Sequence, residues 1–255
     1  MDESISGSFD SGNKMNLTVF TYTHTNCMDL WEPYLDSLDE HLPEVDSVIV
    51  ANELFEDDGR HKFCAYNDDA NYCHEIVRCL EEQVHTDFFI YMQEDFFLFS
   101  KPDLFALKRY TDFLSESSAS FVRLLKCGDV TQISVRDDLY WITEPRTPHV
   151  SMTAYSMQAS IWKKSDFIKL YSAAACPKFK ENPRYISALN ETGINGVYAY
   201  NGESLRGQDH YDSTVFPYVA TAIVRGKWNT LEYSNEMKYF FNRYGIDHSI
   251  RGELT

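Results

Sequence analysis

Basic residues are scarce in this chain. Lysine and arginine total 23 against 39 aspartates and glutamates, so the 255 residues carry a net charge of 23 − 39 = −16. That surplus repels phosphate backbones, and no basic patch offsets it, which argues against a nucleic-acid partner. Long apolar runs are missing too, and none reaches the ~18 residues of a membrane span. The N-terminus lacks a basic segment followed by an apolar core, so no secretory signal is read. Cysteines 27, 64, 73, 79, 127 and 176 form no CxxC pair and no zinc-finger spacing. They read as reduced thiols, and the chain as a cytoplasmic protein. Residues 1–15 (MDESISGSFDSGNKM) are rich in Ser, Gly and charge and are expected to form a flexible tail.

The remainder is rich in core-forming residues. The chain as a whole is 44% hydrophobic and 15% aromatic, ample for a packed interior. Residues 16–255 read as one domain, with no internal repeat and no linker. LTVFTY at 17–22 is a β-rich run. Leu30, Tyr34, Leu38 and Leu42 then recur every four residues along one side of a helix. SVIVAN at 47–52 is a second apolar run. Strand, helix, strand with short connections predicts a βαβ unit and a parallel sheet. Residues 71–84 (NYCHEIVRCLEEQV) predict a second helix, with Cys73, Ile76 or Val77, Leu80 and Val84 inside. Further helices are expected over 104–114, over 166–175 with Ser165 or Asp166 as cap, and over the late segment EMKYFFNRYGI. Further strands are expected over 121–125 and 218–224, and 155–162 reads as a strand or the start of a helix.

The segment FFIYMQEDFFLF, residues 88–99, raises a question. Apart from Gln93, Glu94 and Asp95 it is wholly apolar or aromatic. Carboxylates are expensive to bury unless they are paired or hold a metal. The run without alternation predicts a central parallel strand covered on both faces. In open parallel sheets ligands bind beyond the carboxyl ends of the strands. Gln93-Glu94-Asp95 would end such a strand, with both acids opening into the cleft. Hard divalent cations prefer carboxylate oxygens and are commonly held by one or two of them plus a ligand's phosphates. Asp95, assisted by Glu94, is therefore the candidate ligand for Mn²⁺ or Mg²⁺. The plain alternative is an acidic pair that merely begins a solvated loop.

Other segments supply further candidates. Gln158 and Ser156 in SMQASIW can hydrogen-bond a hydroxyl-rich ligand. Trp162 can stack on the apolar face of a sugar, or can simply be core. Arg225 and Lys227 follow the apolar run AIV and can meet phosphate as charge-assisted donors, or pair with surface acids. Asp209, His210 and Asp212 (QDHYD) form an acid–histidine cluster whose spacing also permits a metal.

A strand closed by three acidic or polar residues resembles the metal and nucleotide signature of GT-A glycosyltransferases, and QED at 93–95 looks like a variant of it. LTVFTYTH, FIYMQEDFFLF, the RLL of FVRLL, YSMQASIWKKSDF and AIVRGKW are similar to segments of small bacterial and viral members of that group. Together they span residues 17 to about 230. The resemblance implies an α/β GT-A-like fold (that of nucleotide-diphospho-sugar transferases) with a mainly parallel central sheet flanked by helices. It implies a metal-dependent glycosyltransferase, hexosyl or deoxyhexosyl, acting between a nucleotide-sugar donor and a glycan or other hydroxyl acceptor. It gives the metal to Asp95, and Thr21, Tyr22, Thr23 and His24 to the donor nucleotide. Asn52, Glu94 and Arg225 are the other donor-side candidates, and Gln158 and Trp162 the acceptor-side ones. It suggests Glu191, beyond the Asn-Pro of NPRYISALNE, as general base, with Asp209 as the second catalytic candidate. Gln93 departs from the acidic form of the motif.

Two rival classes stand beside this one. A sugar nucleotidyltransferase uses the same kind of sheet but usually carries a glycine-rich basic loop after the first strand. Here that loop is THTNCMD, with no glycine and no base beyond His24. A non-catalytic relative would bind a glycan or a protein without responding to metal and nucleotide.

Overall fold

The structure is a computed structural model that describes residues 15–128, 132–142, 157–174, 192–207 and 210–254. Residues 1–14 of the N-terminal tail, Cys176, Ser156, Glu191 and Asp209 lie outside the described residues.

The apolar runs form the strands. β1 (Leu17–Tyr22), β2 (Asp46–Ala51), β3 (His61–Ala65) and β4 (Phe88–Gln93) lie parallel in the order β3-β2-β1-β4. The sheet continues through β8 (Ser160–Lys163), β5 (Phe121–Arg123), β9 (Gly196–Ala199), β7 (Leu139–Trp141) and β6 (Ile133–Arg136). Of these nine strands only β7 and β8 run against the rest. Two short hairpins lie apart: β10 (Leu205–Arg206) with β11 (His210–Tyr211), and β12 (Ile223–Val224) with β13 (Lys227–Trp228).

The unbroken apolar run of β4 has the expected cause. Phe88, Ile90 and Met92 enter one core, while Phe89 and Tyr91 enter the other. The first core receives α1 (Trp31–His41), α3 (Leu104–Glu116) and α5 (Ser234–Tyr244). The second receives α2 (Tyr72–Gln83) and α4 (Lys164–Ala173). The i, i+4 stripe Leu30, Tyr34, Leu38 and Leu42 is buried throughout, as is Cys73, Ile76, Leu80 and Val84 on α2. Asn71 and Asp103 cap α2 and α3 through their side chains, and Gly245 ends α5 at φ 60°.

Three expectations need correction. α4 begins at Lys164 directly after β8, and its cap residue Lys163 makes no side-chain capping bond. Ser165 and Asp166 therefore lie inside the first turn, where Asp166 complements the helix dipole. The expected strand over 218–224 pairs as a ladder only at Ile223–Val224; the part before it follows residues 95–99 by isolated bonds such as Val219 N–H to the Phe97 carbonyl, 2.8 Å. The strands β3, β6, β7 and β9 do not stand out in the sequence, because each is short; β3 alone mixes exposed with buried positions, and β6 is largely exposed.

Gly196 opens β9 against the ring of Phe121, and a Cβ there would overlap that ring. Phe121 is itself stacked on Trp162 at 4.3 Å, so it cannot retreat. Gly196→Ala is expected to destabilise the protein by about 1–3 kcal/mol through overpacking, read as a lowered urea midpoint at unchanged slope.

Candidate active site

The sheet order places the site. From β1 the chain moves outward to β2 and β3, then returns to the other side of β1 as β4. β1 and β4 are thus parallel neighbours at a topological switch point, where their following loops part and leave a crevice. Their last residues face each other, Tyr22 beside Gln93. Thr23–Thr25 leave one strand and Glu94–Asp95 leave the other.

The acid pair sits in a tight turn, with Phe96 N–H bonded to the Gln93 carbonyl at 3.1 Å. The Asp95 side chain is only 8% exposed. One of its carboxylate oxygens accepts the Ile223 N–H at 3.3 Å, and its backbone carbonyl accepts the Ala222 N–H at 3.1 Å. Glu94 lies against the loop after β1, within hydrogen-bonding reach of the Thr23 hydroxyl and the Cys27 thiol. Burial pushes the carboxyl groups of both Glu94 and Asp95 upward, and for Asp95 the neighbouring charge of Glu94 adds to the rise. The Cys27 thiol is driven up to about 12, first by burial and then by Glu94. Among the described residues neither acid forms an ion pair; the guanidinium that acts on Glu94 is that of Arg251, itself held by Asp29 at 2.5 and 2.6 Å.

Two adjacent carboxyl groups, sparingly hydrated and without a salt-bridge partner among the described residues, are a donor set that suits a hard divalent cation. Among the described residues no three His, Cys, Asp or Glu side chains converge to form a complete cage. A cation here would need oxygens from a ligand or from water, as Mg²⁺ in phosphate sites commonly does.

The remaining sequence candidates divide by location. Thr23 is buried, accepts the indole N–H of Trp31 at 2.8 Å and borders Glu94. His24 is half-exposed and pairs with Asp68 at 3.0 Å, while its other ring nitrogen accepts the Asn26 N–H. Asn52, at the end of β2, accepts the Thr25 N–H at 2.8 Å and donates to the Thr25 hydroxyl at 3.0 Å. It therefore holds the loop after β1 in place. Arg225 is exposed at the tip of the β12–β13 hairpin, two residues beyond the Ile223 that contacts Asp95, with φ 52°. Gln158 is near the end of β4: it accepts the Tyr218 hydroxyl at 2.8 Å, and its neighbour Met157 meets Gln93.

Thr21 and Trp162 do not face the crevice. Thr21 is fully buried and its hydroxyl is bonded to Tyr34 at 2.5 Å, because its side chain points into the core under α1. Tyr22 is nearly as buried, donating to Tyr66 at 3.0 Å with its ring edge-on to Tyr72; burial first of all raises its hydroxyl to about 12. Trp162 pairs across β8 with Phe89, at the opposite end of β4 from the acids. It is 3% exposed, stacked on Phe121 and edge-on to Phe167. His210 is buried as well, and bonds the Tyr233 hydroxyl at 2.7 Å. Residues that the sequence did not single out also border the site: Cys27, Asp29 and Arg251. The segment carrying Arg251 reaches the loop after β1 because Trp228 N–H bonds the Gly252 carbonyl and Leu254 N–H bonds the Trp228 carbonyl, each at 3.0 Å. No local pattern announces a contact so distant along the chain.

No protein-family model and no curated protein sequence matches this chain. Solved structures do resemble it. S. aureus TarS 1-349 superposes with a TM-score of 0.49 at 13% identity, covering 93% of this chain and 68% of that one. The CMP:2-keto-3-deoxy-manno-octonic acid synthetase complexed with CTP gives 0.49 at 10% identity, covering 89% and 99%. Mannosyltransferase PcManGT from Pyrobaculum calidifontis, in complex with GDP-Man and Mn²⁺, gives 0.43 at 12% identity, covering 79% and 61%. At these values the likeness says nothing of this chain's chemistry.

Proposed function

We propose that residues 16–255 form one catalytic domain that transfers a hexosyl or deoxyhexosyl group from a nucleotide-diphosphate-sugar to a hydroxyl of a glycan or other acceptor, with Mn²⁺ or Mg²⁺. The observation that carries this reading is the carboxyl pair at the switch-point crevice between β1 and β4, buried Asp95 beside half-buried Glu94, neither in an ion pair among the described residues. Asp95 holds the cation and Glu94 supports it. Bound there, the metal neutralises charge that builds on a departing diphosphate.

The chain's own groups do the rest. His24 lines the nucleotide side, Thr23 holds Glu94 from beneath, and Asn52 fixes their loop. Arg225 reaches the diphosphate from the hairpin tip as a charge-assisted donor. Gln158 orients the acceptor through its amide. Glu191 or Asp209 takes the proton from the attacking hydroxyl as general base; both assignments come from sequence. The nucleotidyltransferase alternative is disfavoured by the loop after β1, which lacks glycine and offers only His24 as a base.

A panel of nucleotide-sugars incubated with the protein and Mn²⁺ tests the proposal through nucleotide release. Calorimetric titration of the matching nucleoside diphosphates runs beside it, since a donor can wait for its acceptor. At least one nucleotide is expected to bind only with metal and to be lost in EDTA. Silence across both measurements would overturn the reading in favour of a metal-independent binding protein.

A further inference from the structure

Lys126 is out of keeping with the other cations of this acidic chain. Half-buried arginines meet carboxylates: Arg60 with Asp39, Arg109 with Asp137 and Asp138, Arg206 with Asp212 and Glu236, and Arg251 with Asp29. Lys163 and Lys164 donate to the carbonyls of Ser117 and Val84. Lys126 is 9% exposed, yet among the described residues its ammonium makes no ion pair and no hydrogen bond. Two aromatic rings flank it instead, Tyr211 at 4.3 Å and Tyr200 at 4.8 Å. Cation–π attraction offsets part of the lost hydration. Lys126 Nζ is not among the enclosed atoms that lack a partner, so its three N–H donors remain open to an acceptor from outside the described residues.

The position is at the same end of the sheet as the acid pair. Lys126 follows β5 and Tyr200 follows β9, two strands that run the same way as β4. Both residues therefore leave the sheet at the edge that carries Glu94 and Asp95. The Lys126 carbonyl accepts the Tyr211 N–H at 2.9 Å, which holds the β11 strand and its ring over the ammonium. Tyr200 also lines an adjoining cleft of about 570 Å³ with Tyr140, Arg109, Asn201 and three carboxylates, Asp103, Asp137 and Asp138, which can accept from sugar hydroxyls; Lys126 and Tyr211 stand outside that lining. Aromatic faces with convergent polar groups suit a saccharide.

We propose that Lys126, between Tyr200 and Tyr211, binds an oxyanion carried by the acceptor, a phosphate ester or a carboxylate on a sugar, whose ring lies in the cleft against Tyr200 and Tyr140. Only the word acceptor rests on the proposed transferase reading; the anionic-sugar site stands on its own geometry. The oxyanion accepts from an ammonium that meets only aromatic rings among the described residues, as a charge-assisted hydrogen bond.

The test is direct binding to metal-free protein in EDTA, which takes the Asp95 site out of play. Glucose 6-phosphate, glucuronate and glucose are titrated separately and followed by NMR shifts of the tyrosine rings. At least one anionic sugar is expected to bind tenfold or more tightly than glucose, and the order of the two identifies phosphate or carboxylate as the recognised group. Lys126→Met should erase that advantage and Lys126→Arg should keep most of it. Equal binding of the three sugars, binding of none, or an undiminished preference in Lys126→Met would overturn the proposal. The wild-type comparison decides alone if the methionine variant does not fold. Because no donor or turnover is involved, this result is independent of the nucleotide-release assay.

Discussion

Asp95→Asn is expected to abolish metal-dependent nucleotide binding and transfer while making the metal-free protein more stable. The two effects share one cause. Asp95 is buried beside Glu94 with no ion-pair partner among the described residues, so its ionised form is held against desolvation and like charge. Asparagine keeps a carbonyl oxygen for the Ile223 N–H but contributes no negative charge. Loss of turnover of 10²-fold or more, on the order seen when a charge-stabilising group is removed from a transition state, is expected. The stability effect follows by linkage. Both acids are raised above their ordinary values of 3.8 and 4.5, so above about pH 4 the native state binds more protons than the unfolded chain. Stability then falls as pH rises, by up to about 1.4 kcal/mol per pH unit for each acid, until the folded-state groups have ionised. Urea unfolding from pH 4 to 8 without metal should show that decline in the wild type and a shallower one in Asp95→Asn. Mn²⁺ should restore stability at neutral pH to the wild type alone, since a ligand that binds only the native state stabilises it. A variant that binds metal and nucleotide like the wild type would remove Asp95 from the site.

Trp162→Ala is expected to cost about 3–5 kcal/mol of folding stability, the range for deleting a large buried aromatic. The indole packs between Phe121 and Phe167, which in turn packs on Phe89, Tyr91 and Tyr171. Its removal leaves a hole under both β5 and α4. Guanidinium unfolding gives the measurement. A variant of unchanged stability with weakened acceptor affinity would return Trp162 to the ligand-binding role that its residue type suggests.

Trp162 illustrates why parts of the site were illegible. In SMQASIWKK an aromatic beside polar residues looks the same whether it faces a sugar or a core. Strand alternation and register decide, and register is set by the partner strands β4 and β5, which lie elsewhere in the chain. Thr21 shows the same ambiguity: its hydroxyl serves Tyr34 of α1 rather than a ligand. QED was legible because three polar residues interrupt a run buried on both faces, and a buried strand can change character so abruptly only where it ends. The helical stripes were legible because burial with a period near four leaves a local imprint.

The sequence by itself determined the alternation of strands and helices at the start, the apolar core strand β4, and the acid pair that closes it. These depend on neighbours within one or two turns of chain. Only the tertiary structure decided which side chains border those acids, brought Arg251 and Asp29 beside the loop after β1, and left Lys126 between two tyrosines. Such contacts join residues far apart in sequence, and their energy is realised only when the sheet order fixes which strand ends lie side by side.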